Sequence, residues 1–467
     1  MKLDRVDITY FRCFENIAVS LQPDINVFVG VNGAGKTALL DAIAIALYDI
    51  VAANGGGGKR QRANQGVALR PTDIHLPAGG KDAVIDRQGA VHIRARAYDF
   101  YELLPDFPLT TPKGTPNFIE WSNFITYQPP NDFHYDTRQS ERLNDIYRYF
   151  QRLWREVRLS DLNALIPLPV VAYYRANRHL AQMPTMGDIF NLRLDREVVN
   201  QSALAANMNY QTMCQWFYLR ENLELREGLQ KRQNPEFKFT DLAAIRQAIA
   251  RTLENVERVF FDDSPPTLKI EFVKANGSPK VLELEQLSDG YRNLLAIVLD
   301  FARRLAQAHP YWENPLEAPG ILLIDEIELH LHPGWQQSII PNLHTAFPNT
   351  QIIVTTHSPQ VLTTVRKEQV QILTADHTLA PLPAEIGTYG SESAFALEMI
   401  FGVHTRPPQI ESVTKLRDYL TLVESRQSAS ERARKLRAEL EQDLGVADPS
   451  LIRADMRSRQ LEILSKR

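Results

Sequence analysis

The chain has 467 residues, 44% of them hydrophobic and 23% charged, with a formal net charge of −4 and two cysteines. That length exceeds what a single core supports, so two or more domains are expected. No apolar run reaches the roughly 20 residues that span a bilayer, the charge balance gives no bulk attraction to nucleic acid, and Cys13 and Cys214 supply neither a disulfide framework nor a cysteine zinc site. The opening Met1-Lys2-Leu3-Asp4-Arg5 carries an acid ahead of strand-like alternation and does not read as a signal peptide. A cytoplasmic setting is expected.

Residues 6–11 and 17–21 alternate apolar and polar, as two antiparallel strands buried on one face do. Between them lies Phe11-Arg12-Cys13-Phe14; spacing alone fits a phosphate contact by Arg12 or a surface arginine in a hairpin equally well. Residues 25–29 read as a buried strand and residues 38–47 as a helix buried on most sides. The stretch joining them, Gly30-Val31-Asn32-Gly33-Ala34-Gly35-Lys36-Thr37, fits the phosphate-binding template Gly-x-x-x-x-Gly-Lys-Ser/Thr. Its glycines let backbone N–H groups converge on phosphate oxygens, and the helix N-terminus adds the positive end of its dipole. Lys36 is expected to reach the β- and γ-phosphates and the Thr37 hydroxyl to hold Mg²⁺. The candidate nucleotide contacts are Asn32, Gly33, Ala34, Gly35, Lys36, Thr37 and Ala38.

A glycine-rich, basic loop follows at residues 54–62, then strand character at 84–85 and 91–97 around a turn at 86–89. Residues 99–138, rich in proline and aromatics, read as an irregular insertion packed on its own lobe in preference to a platform for single-stranded bases. Residues 141–157 have helical spacing, and 167–174 read as a buried strand that delivers Arg175, Asn177 and Arg178 to its exit. Amphipathic helices are expected over 208–229 and 240–261, the second opened by a Thr240-Asp241 cap, and a hairpin over 267–285 around Asn276-Gly277.

Leu287-Ser288-Asp289-Gly290-Tyr291-Arg292 leads into a helix over 293–305, where Ser288 can cap and Gly290 lets backbone approach an anion. Gly320-Ile321-Leu322-Leu323-Ile324-Asp325-Glu326 is an apolar strand ending in two carboxylates. Asp325 would hold Mg²⁺ through water, and Glu326 would polarise the attacking water. His330 and His332 have no third ligand nearby in sequence, so a contact across a dimer is preferred to a metal site. A helix over 334–347 precedes a buried strand that carries His357 at its exit, placed to sense a γ-phosphate. Helices are expected over 391–401, 409–443 and 448–465.

Together these residues resemble the ATP-binding-cassette ATPases of the SMC/RecF/OLD class. Phe11-Arg12-Cys13-Phe14 is similar to that family's Phe-Arg-x-Phe, whose arginine contacts phosphate; Gly30 to Thr37 is similar to Walker A. Leu287 to Tyr291 resembles the Leu-Ser-Gly-Gly-Gln signature, with Asp289 and Tyr291 as departures; 324–326 resemble Walker B, 328–333 the D-loop region and His357 the switch histidine. Gln65 is the candidate for the glutamine loop. The resemblance implies an α/β fold: an ABC-ATPase head, with a mixed sheet carrying the P-loop and an antiparallel β subdomain, plus a helical insertion lobe and a C-terminal helical region. The corresponding boundaries are 1–98, 99–265, 266–405 and 406–467. It also implies ATP and Mg²⁺, and a homodimer or higher oligomer in which Ser288 and Gly290 of one head meet the γ-phosphate held by Lys36 of another. Prolines throughout 38–287 and the lack of sustained heptads argue against long coiled-coil arms. The tail has no Asp-x-Asp after a buried strand, so a fused nuclease is not expected. The short form and Asp-Glu-x-Glu-Leu-His-Leu-His-Pro are most similar to the Septu antiphage-defence ATPases (PtuA), which implies a separate HNH nuclease partner (PtuB-like), with DNA as a further candidate. RecF/OLD-like repair and a transporter nucleotide-binding subunit stand as alternatives.

Overall fold

A computed structural model describes residues 1–54, 69–75, 90–101, 118–128, 132–134, 143–159, 166–176, 192–205, 210–234, 236–263, 266–273 and 278–465. The strand expected at 84–85, the turn at 86–89, most of the glycine-rich loop, Gln65, Asn177, Arg178 and the turn at Asn276-Gly277 lie outside them. The chain divides into two compact units, Met1–Ser393 and Ala394–Arg467.

The first unit opens with the antiparallel hairpin β1 (Lys2–Phe11) and β2 (Phe14–Ser20), then enters the fully buried strand β3 (Ile25–Gly30) and helix α1 (Lys36–Ala53). α1 is buried on nearly all sides, as its run of leucine, isoleucine and alanine requires. β4 (Ala90–Tyr98), β5 (Ile119–Gln128) and β6 (Asp132–His134) complete a five-stranded sheet in the order β2-β1-β4-β5-β6. β5 corrects the reading of 99–138 as irregular throughout. Ile119 and Trp121 alternate inward along it, and the Trp121 indole donates to the Ala46 carbonyl of α1 at 2.7 Å.

Helix α2 (Leu143–Leu159) precedes β7 (Val170–Tyr174), which pairs in parallel with a later strand of the nucleotide-binding sheet. Residues 99–265 therefore contribute strands to all three sheets of the first unit and do not stand apart as one inserted lobe. Helix α3 (Tyr210–Arg226) runs into a π-helical turn, Glu227–Lys231. The helix expected over 240–261 is shorter: α4 spans Thr240–Thr252, and Asn255, at φ +62°, turns the chain into strand β8 (Val256–Asp263). Its β-branched and aromatic residues pair with β9 (Pro266–Val273), which pairs with β10 (Pro279–Glu283). Phe239, not Thr240, is the N-cap of α4; the Asp241 carboxylate accepts from the Leu242 N–H and pairs with Arg220.

Helix α5 (Asp289–Ala308) leads to β11 (Gly320–Ile324). The helix expected over 334–347 is two short pieces, α6 (Pro333–Gln336) and α7 (Ile339–Ala346), followed by β12 (Thr350–Thr356), α8 (Pro359–Leu362) and the small strands β13 (Val370–Leu373) and β14 (Leu379–Pro381). The second sheet has the order β14-β13-β3-β12-β11-β7, parallel except for β14. β3, β12, β11 and β7 are buried along their whole length, and their apolar residues do not alternate with exposed polar ones.

After α9 (Ser393–Met399), the second unit contains α10 (Glu411–Glu424), α11 (Glu431–Leu444) and α12 (Pro449–Ser465). The single helix expected over 409–443 is broken because Arg426 adopts φ +60° and the Ser430 hydroxyl caps a new helix at Ala433 N–H. Leu416, Tyr419, Val423, Leu440 and Leu451 form its core. Arg437 bridges Glu441 and Asp455 at 2.8 and 2.9 Å across its rim.

Gly30 is the tightest packing constraint on the nucleotide-binding sheet. A Cβ there would collide with the Leu373 carbonyl oxygen, which is backbone of β13 and cannot swing away. Gly30→Ala is expected to cost about 2 kcal/mol, read as a lower urea midpoint with an unchanged slope; an unshifted midpoint would show that β13 yields freely.

Candidate functional site

The parallel strands place their C-terminal ends, and the residues that follow them, along one edge of the sheet, where open α/β sheets take ligands. β3 delivers the phosphate loop. Gly33 and Gly35 take φ +81° and +103°, conformations that a side chain disfavours, and the loop's curl depends on them. Gly35 also has no room for a Cβ, because Cys13 Sγ and the Phe14 ring pack against it. Asn32, Gly33 and Thr37 are exposed, whereas Ala34, Lys36 and Ala38 are buried. The Lys36 ammonium donates to the carbonyls of Gly30 and Val31 at 2.9 and 3.1 Å, folding back over its own loop. Burial lowers the Lys36 pKa, partly offset by Asp325, Glu326 and Glu328.

β11 and β12 supply the acidic side. The Thr37 hydroxyl donates to Asp325 Oδ2 at 2.7 Å, and the Thr355 hydroxyl donates to Asp325 Oδ1 at 2.6 Å. The Asp325 N–H donates to the Tyr174 carbonyl at 2.9 Å, so the residue is held from three elements, two of them through its carboxylate. Glu326 follows at φ +47°, with its N–H on Thr355 Oγ1 at 2.8 Å, so the chain turns as it leaves the strand. Glu328 holds the exit of β12: its carboxylate accepts from the Thr356 hydroxyl at 2.7 Å and from the His357 N–H at 2.5 Å. Burial and Lys36 lower the His357 pKa, with Glu328, Glu326 and Asp325 opposing. Thr37 Oγ1 and Asp325 Oδ2 are hard oxygen donors side by side, the chemistry Mg²⁺ takes. Among the described residues no group of three or more His, Cys, Asp or Glu is placed to hold a metal ion.

The segment at 287–292 lies apart from the phosphate loop in sequence and opens α5. Ser288 is the N-cap of α5 by backbone, but its side chain makes no capping bond, correcting the expected cap, and it is exposed. Gly290 is buried, and a Cβ there would collide with the His330 carbonyl oxygen, so the start of α5 and the loop after β11 are in backbone contact. Tyr291, the departure from the signature pattern, is an aromatic anchor: its ring stands edge-on to Trp335 at 4.1 Å and to Phe272 at 5.4 Å, and its hydroxyl donates to the Glu254 carbonyl at 2.9 Å.

Arg12 is engaged by two carboxylates, Asp41 at 2.6 Å and Asp73 at 2.8 Å. Asp41, one turn into α1 and almost fully buried, also pairs with Arg175 at 2.9 Å and accepts from the Tyr173 hydroxyl at 3.0 Å. Sequence reasoning missed Asp41, Tyr173, Thr355 and the role of Glu328. Only Glu328 had a local signal, the acid two residues after Glu326; the others are defined by partners far along the chain.

A family model described as "AAA domain" matches residues 5–178, and one described as "AAA domain, putative AbiEii toxin, Type IV TA system" matches residues 220–363. Over 97% of its length the chain is 28% identical to the retron Ec83 probable ATPase of Escherichia coli, covering 85% of that protein. It is 38% identical over 38% of its length to the retron Vc95 probable ATPase of Vibrio cholerae, covering 34% of that protein. It is 31% identical, again over 38% of its length, to the Septu protein PtuA of Bacillus mycoides, covering 24% of that protein. The chain is thus similar over nearly its whole length to a probable retron ATPase, and over part of it to a Septu protein. The two family models together span the phosphate loop, the Ser288 segment, Asp325, Glu326 and His357. Among the described residues no helix is long and apolar enough to cross a membrane.

Removing the Asp41 carboxylate leaves the buried hydroxyl of Tyr173 and the guanidiniums of Arg12 and Arg175 short of an acceptor. Asp41→Ala is expected to lower the unfolding free energy by about 3 kcal/mol, the low end for a broken buried pair because both arginines keep some solvent and Arg12 keeps Asp73. Chemical denaturation checks it; a loss within about 0.5 kcal/mol, as at an ordinary surface site, would show that the cluster carries no stability.

Proposed function

We propose that the chain is the ATP-binding and ATP-hydrolysing subunit of a cytoplasmic antiphage-defence assembly, and that heads pair around nucleotide to control a separate HNH nuclease that cleaves DNA. The observation that supports this most is the Thr37–Asp325 hydrogen bond, which joins the phosphate loop to the acidic strand end. The near end-to-end similarity to a retron ATPase supports the defence setting.

In this reading Gly33, Ala34 and Gly35, with Asn32 and Ala38 at the edges, offer N–H donors to the phosphates. Lys36 leaves the Gly30 and Val31 carbonyls for the β- and γ-phosphates, exchanging two neutral acceptors for charged ones. Mg²⁺, held by Thr37 and Asp325, supplies charge neutralisation on the phosphates. Glu326 orients the attacking water as base, on a backbone turn fixed by Thr355. His357, held through its N–H by Glu328, is assigned to sense the γ-phosphate. Arg12 needs no release from Asp41 and Asp73 to shape the entrance to α1; a phosphate contact would have to compete with both carboxylates. The exposed Ser288 and the buried Gly290 face a second head, whose bound nucleotide completes the composite site. The C-terminal unit, with its charged helices, is assigned to the partner or oligomer interface.

The test uses full-length protein with ATP and Mg²⁺. Lys36→Ala should lose measurable ATP binding, and unchanged affinity would remove the phosphate-loop assignment. Glu326→Gln should bind ATP, slow turnover by about 100-fold or more, and accumulate dimer by light scattering. Adding Ser288→Arg to that variant should abolish the dimer and leave ATP binding intact; a persisting dimer would show that pairing does not run through this segment. An HNH reading frame beside the gene, and co-purification of its product, test the nuclease partner.

A further inference from the structure

His377 lies in the turn between β13 and β14, outside every motif above, yet its ring rests on the phosphate loop. β13 pairs in parallel with β3, Leu373 opposite Gly30, so the turn emerges beside the loop. The turn is closed internally: the Thr374 N–H donates to the Thr378 carbonyl at 2.9 Å, the His377 N–H donates to the Thr374 carbonyl at 3.1 Å, and the two threonine hydroxyls are 2.9 Å apart. His377 takes φ +58°, which turns its side chain back across the sheet edge. Its Nδ1 lies 3.0 Å from the Ala34 carbonyl oxygen. A carbonyl only accepts, so Nδ1 carries the proton in this contact. The ring also meets Phe14 edge-on, centroids 6.3 Å apart, and Phe14 is one of the two side chains packed on Gly35.

The Ala34 carbonyl and the Gly35 N–H belong to one planar trans peptide and point to opposite sides of it. Holding the carbonyl outward therefore turns the Gly35 N–H toward the phosphate side of the loop. We infer that His377 is a positioning residue for nucleotide binding: by donating to the Ala34 carbonyl it keeps the Gly35 N–H aimed at a bound phosphate. The imidazole itself touches no phosphate. What it contributes is a donor already in place before binding, so that less ordering is left to be done when the nucleotide arrives. This rests on the phosphate-loop reading of residues 30–37.

The experiment compares Mg–ADP binding by titration calorimetry for the full-length wild type, His377→Asn and His377→Gly. Both replacements accept φ +58° without strain, but only asparagine offers a side-chain N–H near the position of Nδ1. The asparagine variant is expected to bind within about twofold of wild type and the glycine variant about tenfold more weakly, the effect of one lost hydrogen bond. KM for ATP should rise in parallel, with kcat within about twofold of wild type. Should the glycine variant be too unstable to purify, His377→Asp, which tolerates the same φ and offers only acceptors, is expected to bind as weakly. Glycine binding as tightly as wild type, asparagine binding as weakly as glycine, or a fall in kcat at constant KM would each overturn the inference. A wild type that binds no Mg–ADP would instead remove the phosphate-loop reading, and the inference with it.

Discussion

The run of hydrogen bonds from Thr37 through Asp325 to Thr355 is the constraint on which the site depends. Asp325 is buried, and a buried carboxylate is tolerated only where its oxygens are satisfied. Both are, each by a hydroxyl from a different element. Those hydroxyls come from the start of α1, just beyond β3, and from β12, the strand lying between β3 and β11. The run closes only if three parallel strand ends stand level, which the registers Ile324 opposite Val354 and Val354 opposite Val27 provide. A slip of one residue in any pairing would point Thr355 to the wrong face of the sheet and leave Asp325 short of a donor. The chemistry of the acidic edge and the register of the sheet are in this sense one requirement.

What the sequence made legible follows from where the information is stored. The phosphate loop, the β11 carboxylates and the His357 strand exit each lie in a contiguous stretch whose flanking hydrophobic pattern names the element, and their placement on strands and helix was readable for that reason. The same locality explains the elements that were misjudged. Residues 256–261 have apolar side chains at spacings that serve a helix or a strand, and the deciding feature, Asn255 at φ +62°, is a backbone property. Ser-Ala-Ser-Glu at 428–431 is a helix-start signal embedded in a charged stretch with helical spacing on both sides, so the break between α10 and α11 was overlooked. Trp121 was counted with the loop aromatics because its partner, the Ala46 carbonyl, is 75 residues away. Asp41, Thr355 and His377 share that character: each is an ordinary residue until a distant segment arrives beside it.

The least conspicuous strand of the nucleotide-binding sheet has the widest reach. β7 ends in two tyrosines, and successive side chains on a strand point to opposite faces of a sheet. The Tyr173 hydroxyl donates to Asp41 of α1, the helix that begins at the phosphate loop. The Tyr174 hydroxyl, on the other face, donates at 2.9 Å to Asp300 of α5, the helix that begins at Ser288. Asp300 is buried, and burial alone would raise its pKa; Arg304 and Arg303 overcome that and hold it down to about 2, so it is a charged acceptor throughout the physiological range. The Tyr174 carbonyl meanwhile receives the Asp325 N–H.

Two adjacent residues thus fasten α1, α5 and the acidic edge to a single strand. Both tyrosines are buried among apolar strands, where an unpaired hydroxyl is costly, so neither contact can be given up without a replacement partner. The phosphate loop and the Ser288 segment occupy the N-termini of α1 and α5, and a helix moves as a rigid rod over this distance. A displacement of either helix along its axis must therefore break a tyrosine contact or carry β7 with it, and β7 is held by the ladder it shares with β11. The N-terminal ends of α1 and α5 are consequently fixed to one frame, and Asp325 is fixed to that same frame.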